Sequence, residues 1–144
     1  MGGEVLKSTQ SNDLIEMAMA ARQRAYVPYS HFAVGAAVRT ASGKVYAGCN
    51  IENASYGATC CAERTAIFKA VSEGEIDLVE LAVVAEGKRP CSPCGICRQV
   101  MAEFNPHMKV WLSNLAGDVI ETTAAELLPA SFNASDLTGA DTNE

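Results

Sequence analysis

A three-layer α/β/α sandwich around a mixed sheet of about five strands is the fold this sequence predicts. Three observations carry that expectation. Short apolar runs alternate along the chain with stretches of helical spacing. The middle of the chain follows a β-α-β-α-β order, which favours parallel strands joined by right-handed crossovers. The 144 residues suit a single domain, 1–144, of a size that buries roughly 70% of its unfolded surface. With 49% hydrophobic and 19% charged residues, the chain carries too much apolar surface for disorder.

Each element follows from local pattern. Asp13-Leu14-Ile15-Glu16 reads as a capped helix start, and Leu14, Met17, Ala18, Ala21 and Ala25 recur at helical spacing, so a first helix is expected to end near Val27-Pro28. Phe32 to Thr40 is a nearly continuous apolar run, Ala41-Ser42-Gly43-Lys44 carries turn residues, and Val45 to Cys49 follows as a second strand. These two strands are expected to form a hairpin buried on both faces. Thr59 can cap a helix that runs to about Val71, with Ala66, Ile67, Ala70 and Val71 on one face.

Leu78 to Ala85 reads as a buried strand. Ser92-Pro93 opens a third helix, with Ser as cap and Pro in the first turn, and Ile96, Val100 and Phe104 are expected to supply its buried stripe. Met108 to Ser113 and Asp118 to Glu121 complete the strands, and Thr123 to Leu128 forms a last helix. Residues 1–11 and 133–144 are polar and are expected to be loose or to lie on the surface.

Eleven basic against seventeen acidic residues give a net charge of -6, the wrong sign for affinity that depends on neutralising phosphates. Apolar runs such as Phe32–Val38 and Leu81–Ala85 fall far short of the roughly 20 residues of a membrane span. The opening Met1-Gly2-Gly3-Glu4 carries no basic-then-apolar leader. A soluble, cytoplasmic protein with no nucleic-acid or membrane partner is therefore expected.

Six cysteines stand at positions 49, 60, 61, 91, 94 and 97, a clustering that in such a chain points to metal or redox chemistry rather than disulfides. Cys94 and Cys97 are three apart at a helix start, where first-turn N–H groups favour thiolate. Cys61 lies in the first turn of the preceding helix. Two crossover helices that follow neighbouring parallel strands begin at the same end of a sheet, so three sulfurs can converge there, a set that suits zinc. Glu63 would point about 160° away from Cys61 on a regular helix, so the two share a site only if it lies off the helix end. That leaves Glu63 beside the metal without making it a ligand, and the fourth zinc position open for water. Three thiolates on Zn²⁺ carry a formal charge of -1, and Arg64 is expected to hydrogen-bond a ligand sulfur and offset it.

Thr59-Cys60-Cys61-Ala62-Glu63-Arg64-Thr65-Ala66 and Ser92-Pro93-Cys94-Gly95-Ile96-Cys97-Arg98-Gln99 resemble the zinc motifs of cytidine deaminases, in the short-chain form with three cysteine ligands. The resemblance covers nearly the whole chain, through Tyr29-Ser30-His31-Phe32-Ala33-Val34-Gly35-Ala36, Gly48-Cys49-Asn50-Ile51-Glu52-Asn53 and Leu127-Leu128-Pro129. It implies hydrolytic deamination of cytidine and 2'-deoxycytidine in pyrimidine salvage, with one Zn²⁺ per chain held by Cys61, Cys94 and Cys97. Hydroxide at the zinc would attack C4 while Glu63 carries protons to N3 and to the departing amino group. The resemblance further implies that Asn50 and Glu52 hold the ribose hydroxyls, Phe32 packs on the base and the Ala62 N–H meets the base carbonyl. A homotetramer with shared sites is implied too, Tyr56 and Phe132 reaching into a neighbour's pocket.

Other readings compete. Cys91 could complete a closed four-cysteine structural zinc site in a non-catalytic protein. A ferredoxin-like run fails because Met101 stands where the fourth cysteine belongs. Cys49 and Cys60 are read as core fillers, and His31 and His107 as surface residues. Arg98 and Gln99 carry no assigned role and are read as solvated or subunit-facing. Deamination of a cytosine-nucleoside antibiotic is the alternative within the enzyme class, and editing of a base within RNA or DNA would call for a basic track that this acidic chain does not offer.

Overall fold

The computed structural model describes residues 9–139; the expectations for 1–8 and 140–144 lie outside them. Helix α1 (Thr9–Arg22) leads to strands β1 (Val34–Thr40) and β2 (Val45–Cys49), then α2 (Ala62–Ser72), β3 (Leu78–Ala85), α3 (Gly95–Phe104), β4 (Lys109–Ser113), β5 (Val119–Thr123), α4 (Ala124–Leu127) and α5 (Ala134–Thr138). The five strands form one mixed sheet in the order β2-β1-β3-β4-β5. β3 and β4 pair in parallel and the other neighbours are antiparallel.

Alternation along the strands splits the core into two layers. Val34, Ala36 and Val38 of β1 face α2 and α3, packing with Ala66, Ile67, Cys97 and Met101. Ala37 faces the other way, joining Ala82, Val84 and Trp111 against Leu14, Ile15 and Ala18 of α1. The result is the three-layer sandwich expected from the element order.

Two glycines let the helices approach. A Cβ on Gly35 would stand 1.9 Å from the Ala18 carbonyl oxygen of α1, and one on Gly48 would stand 2.6 Å from the Ala66 backbone nitrogen of α2. Neither obstacle is a side chain that can swing away, so both strands must be bare where the helices cross.

Several boundaries differ from the sequence-based expectation, each for a physical reason. α1 starts at Thr9 rather than Asp13, so residues 9–11 are helical rather than loose, and it ends at Arg22 rather than near Val27-Pro28 because Tyr26 is drawn into strand-like pairing. Its N–H donates to the Asn50 carbonyl at 3.0 Å, and its carbonyl accepts from Glu52 N–H at 2.8 Å. β1 begins at Val34 rather than Phe32, since the Asn50 side chain takes the bonds a partner strand would make: Oδ1 accepts from Val34 N–H at 2.9 Å and Nδ2 donates to the Phe32 carbonyl at 2.8 Å. The hairpin is buried on both faces only in β1; β2 is the sheet edge, with Gly48 its single buried residue.

α2 and α3 each start later than expected. Thr59 closes a 3-10 turn at Tyr56–Ala58 that local pattern did not reveal, and the N-cap of α2 is Cys61. The N-cap of α3 is Cys94 rather than Ser92, and the helix buries Cys97 and Met101, with Val100 and Phe104 partly buried and Ile96 exposed, not the expected Ile96-Val100-Phe104 stripe. Strand β5 runs on to Thr123, whose hydroxyl accepts from Glu126 N–H at 3.1 Å and caps α4. α5 is a further element, closed by an Asn133/Asp136 capping box and by Gly139 at φ 67°, and it buries no residue.

Candidate metal centre

β2 and β3 run parallel, but β1 lies between them, so the strands before the two cysteine-bearing helices are not neighbours as expected. Their common direction is enough. Both helices begin at the same end of the sheet, and Cys61, Cys94 and Cys97 bring their sulfurs within 4.8 Å of one another. Cys61 Sγ and Cys94 Sγ are 3.7 Å apart. Zn–S bonds of about 2.3 Å in a tetrahedron set sulfurs about 3.8 Å apart, so the trio fits zinc.

Cys61 and Cys94 are N-caps with extended backbones, φ -70°, ψ 154° and φ -69°, ψ 166°. The angle expected between Cys61 and Glu63 on a regular helix therefore does not apply: the N-cap lies outside the helical turn, and its side chain is free to lean over the helix end. The same geometry relates Cys94 to Cys97, as N-cap and N3 face each other in a capping box. Neither cap sulfur accepts a capping hydrogen bond.

The sulfurs differ in character. Hydrogen bonding from the Cys97 thiol, helped by Arg64, pulls the Cys61 thiol down to about 5, while the Cys97 thiol is pushed up by its hydrogen bond to Cys61 and by burial. Arg64 Nη2 donates to Cys61 Sγ at 3.5 Å and to the Thr59 carbonyl at 3.4 Å, and its Nε is buried without a partner among the described residues. A cation placed against Cys61 Sγ suits a thiolate–metal set that is anionic overall.

Glu63 is 4% exposed, and burial pushes its carboxyl up to about 7. The Cys61 charge adds to that rise. Cys91 is half-buried, its thiol raised by burial, and it is not among the clustered sulfurs. Cys60 is not on α2; it pairs in a bridge with Ile51, and its sulfur accepts from the Thr65 hydroxyl at 3.6 Å.

Residues 8–113 match the family model of the cytidine and deoxycytidylate deaminase zinc-binding region. The chain belongs to this deaminase family. A cytidine deaminase of Halalkalibacterium halodurans is 61% identical over 125 residues, spanning 86% of this chain and 95% of the relative. The crystal structure of cytidine deaminase from Burkholderia pseudomallei superposes with a TM-score of 0.82 at 53% identity, covering 84% of this chain and 98% of that one. At lower identity, 33% over 133 residues, stands a blasticidin-S deaminase of Bacillus cereus, with 87% of this chain and 94% of the relative covered. As a member of the deaminase family, the chain is a hydrolytic enzyme that uses Zn²⁺, and the cysteine trio is a donor set that could hold it.

Of the remaining expected site residues of this family member, Phe32, Asn50, Glu52 and Tyr56 lie in the loops beside β1 and β2, whereas Ala62 opens α2 and Phe132 lies between α4 and α5. Glu52 accepts from the backbone N–H of Tyr29 at 3.0 Å and of Ser30 at 3.1 Å, and from the Ser30 hydroxyl. These bonds, the Ser30 hydroxyl's above all, hold its carboxyl below the usual carboxylate range. Glu52 and Tyr56 line an open cavity of about 390 Å³ with Tyr29, Ser30 and Thr59. Phe32 is partly exposed, Ala62 is fully buried at the first position of α2, and Phe132 offers its carbonyl to Gln99 Nε2 at 2.8 Å. No helix among the described residues is long and apolar enough to cross a membrane.

Sequence reasoning passed over Tyr29 and Ser30, although Ser30 two residues before Phe32 is a side-chain turn signal: its hydroxyl accepts from Phe32 N–H at 3.0 Å. Arg98 and Gln99 were expected to be solvated or subunit-facing. Both are half-buried and bonded within the chain, Gln99 to the Phe132 carbonyl and Arg98 to Ser92, Pro93 and Leu127.

Proposed function

We propose that this chain deaminates cytidine and 2'-deoxycytidine to uridine and 2'-deoxyuridine with release of ammonia, in pyrimidine salvage. One observation carries the reading: a buried carboxyl, Glu63, stands two residues from a sulfur of a trio that leaves a tetrahedral position without a protein donor among the described residues. A structural zinc site would fill that position.

When bound, zinc acts as a Lewis acid that makes water a nucleophile at neutral pH. Glu63 accepts a proton from the attacking water and delivers it to N3 of the ring as the C4–O bond forms. The new C4 hydroxyl then gives its proton through the same carboxyl to the amino nitrogen, the C4 carbonyl forms as the C4–N bond breaks, and ammonia leaves. Burial keeps bulk water from competing for the proton. The Ala62 N–H, at the start of α2, meets the base carbonyl, and Phe32 packs on the ring. Asn50 and Glu52 take the ribose hydroxyls; their bonds to Phe32, Val34, Tyr29 and Ser30 support this reading, because they preorganise both side chains on one loop edge.

Tyr56 is 76% exposed and Phe132 56% exposed, which supports a homotetramer whose protomers lend these rings to neighbouring sites. A net charge of -6 supports a free nucleoside, not a nucleic acid, as substrate.

The test follows ultraviolet absorbance of cytidine, with and without a zinc chelator, alongside 2'-deoxycytidine, blasticidin S and a cytosine-bearing single-stranded oligonucleotide. Turnover of the two nucleosides, abolished by the chelator, is expected. Turnover of blasticidin S or the oligonucleotide in place of cytidine would overturn the substrate assignment. Light scattering on the same preparation reads the assembly.

A further inference from the structure

We infer that Arg98 is a positioning residue for the zinc ligand Cys94. Of the three ligands, Cys97 is buried and Cys61 half-buried, whereas Cys94 is exposed and sits at the end of an irregular loop. The last two residues of that loop before Cys94 are held by one guanidinium. Arg98 Nε donates to the Pro93 carbonyl at 2.8 Å and Nη2 to the Ser92 hydroxyl at 2.6 Å, the two residues just before Cys94. Nη1 donates to the Leu127 carbonyl at 2.8 Å, and Leu127 is anchored in the core layer beneath α2 and α3. The backbone N–H of Arg98 also donates to the Cys94 carbonyl at 3.0 Å.

A planar fork with fixed donor directions can tie the ligand loop to the core at three points; a lysine ammonium cannot reproduce that geometry. Groups that hold a metal ligand in place typically change metal affinity by about 10- to 100-fold when removed. Arg98 touches neither a sulfur nor the reacting atoms, so its effect runs through the placement of the Cys94 backbone. Gln99, its neighbour on α3, holds the Phe132 carbonyl instead and serves as the comparison.

The inference rests on zinc ligation by the cysteine trio, which the zinc content of the unsubstituted protein reports separately. The test is the rate at which the zinc-loaded protein gives up its metal to a chelating dye, with thermal melting followed in parallel. Arg98→Lys is expected to release zinc at least about tenfold faster. Ser92→Ala removes one arm of the fork and should give a smaller increase, while the double variant should be no faster than Arg98→Lys alone. Gln99→Leu should release zinc at the unsubstituted rate. Equal release rates for Arg98→Lys and the unsubstituted protein would overturn the inference. So would a Gln99→Leu increase matching that of Arg98→Lys, because that result marks a general loosening of α3.

Discussion

Arg64 and Cys61 lie one turn apart at the start of α2, and the guanidinium Nη2 donates to the sulfur at 3.5 Å. The contact places a permanent cation on a sulfur whose thiol is drawn toward thiolate. Hydrogen bonds to charged groups are worth about 1.5–3 kcal/mol. Arg64→Gln is therefore expected to lower kcat by about 10- to 100-fold while the protein retains its zinc, as read by steady-state rates and metal analysis. Unchanged turnover would remove Arg64 from the charge balance of the site.

Glu63→Gln keeps the volume of a buried side chain and removes its capacity to accept and return a proton. Turnover should fall by at least about 10²- to 10⁴-fold, with zinc content and melting temperature near those of the parent. Activity that survives the substitution would assign the proton transfers elsewhere.

Gly35→Ala tests the packing of α1. Its Cβ would lie 1.9 Å from the Ala18 carbonyl oxygen and 2.7 Å from the Arg22 backbone nitrogen, so α1 must move away from the sheet. Overpacking of this kind costs about 1–3 kcal/mol or more. A fall in melting temperature of roughly 5–10 °C is expected for a domain of this size. Gly43→Ala is the contrast: open space surrounds its Cβ, and only the φ of 91° opposes the substitution.

Acid should act on Glu52 later than on an ordinary carboxylate. Its folded carboxyl is depressed, chiefly by the Ser30 hydroxyl, so its bonds to Tyr29 and Ser30 are fully in place above the unfolded value near 4.5. They are lost only as the pH falls through the lower folded value. Ser30→Ala is expected to raise the Glu52 carboxyl toward 4.5, measured by carbon-detected NMR titration. An unshifted titration would mean that the backbone N–H groups alone hold the charge.

The boundary between what was legible and what was not follows the range of the interactions. β2 and β3 were readable to the residue because each is a compact apolar run between turn signals. α1 was misjudged at its end because Tyr26 pairs with residues 50–52, a partner no local window contains. The late starts of α2 and α3 follow from competition of the same kind. Thr59 closes the 3-10 turn, and Ser92 is held by Arg98, so the cysteines become the caps.

By itself the sequence determined the element types, the three-layer class and the cysteines that could act together, because periodicity and short spacing encode contacts within a turn or a strand. Tertiary structure alone decided that β1 inserts between β2 and β3 and that Glu52 is held by Tyr29 and Ser30. It also decided that Arg98 reaches Leu127. Those bonds join residues far apart in the chain, and their partners are chosen only when sheet order and helix packing bring particular backbone groups within hydrogen-bond reach.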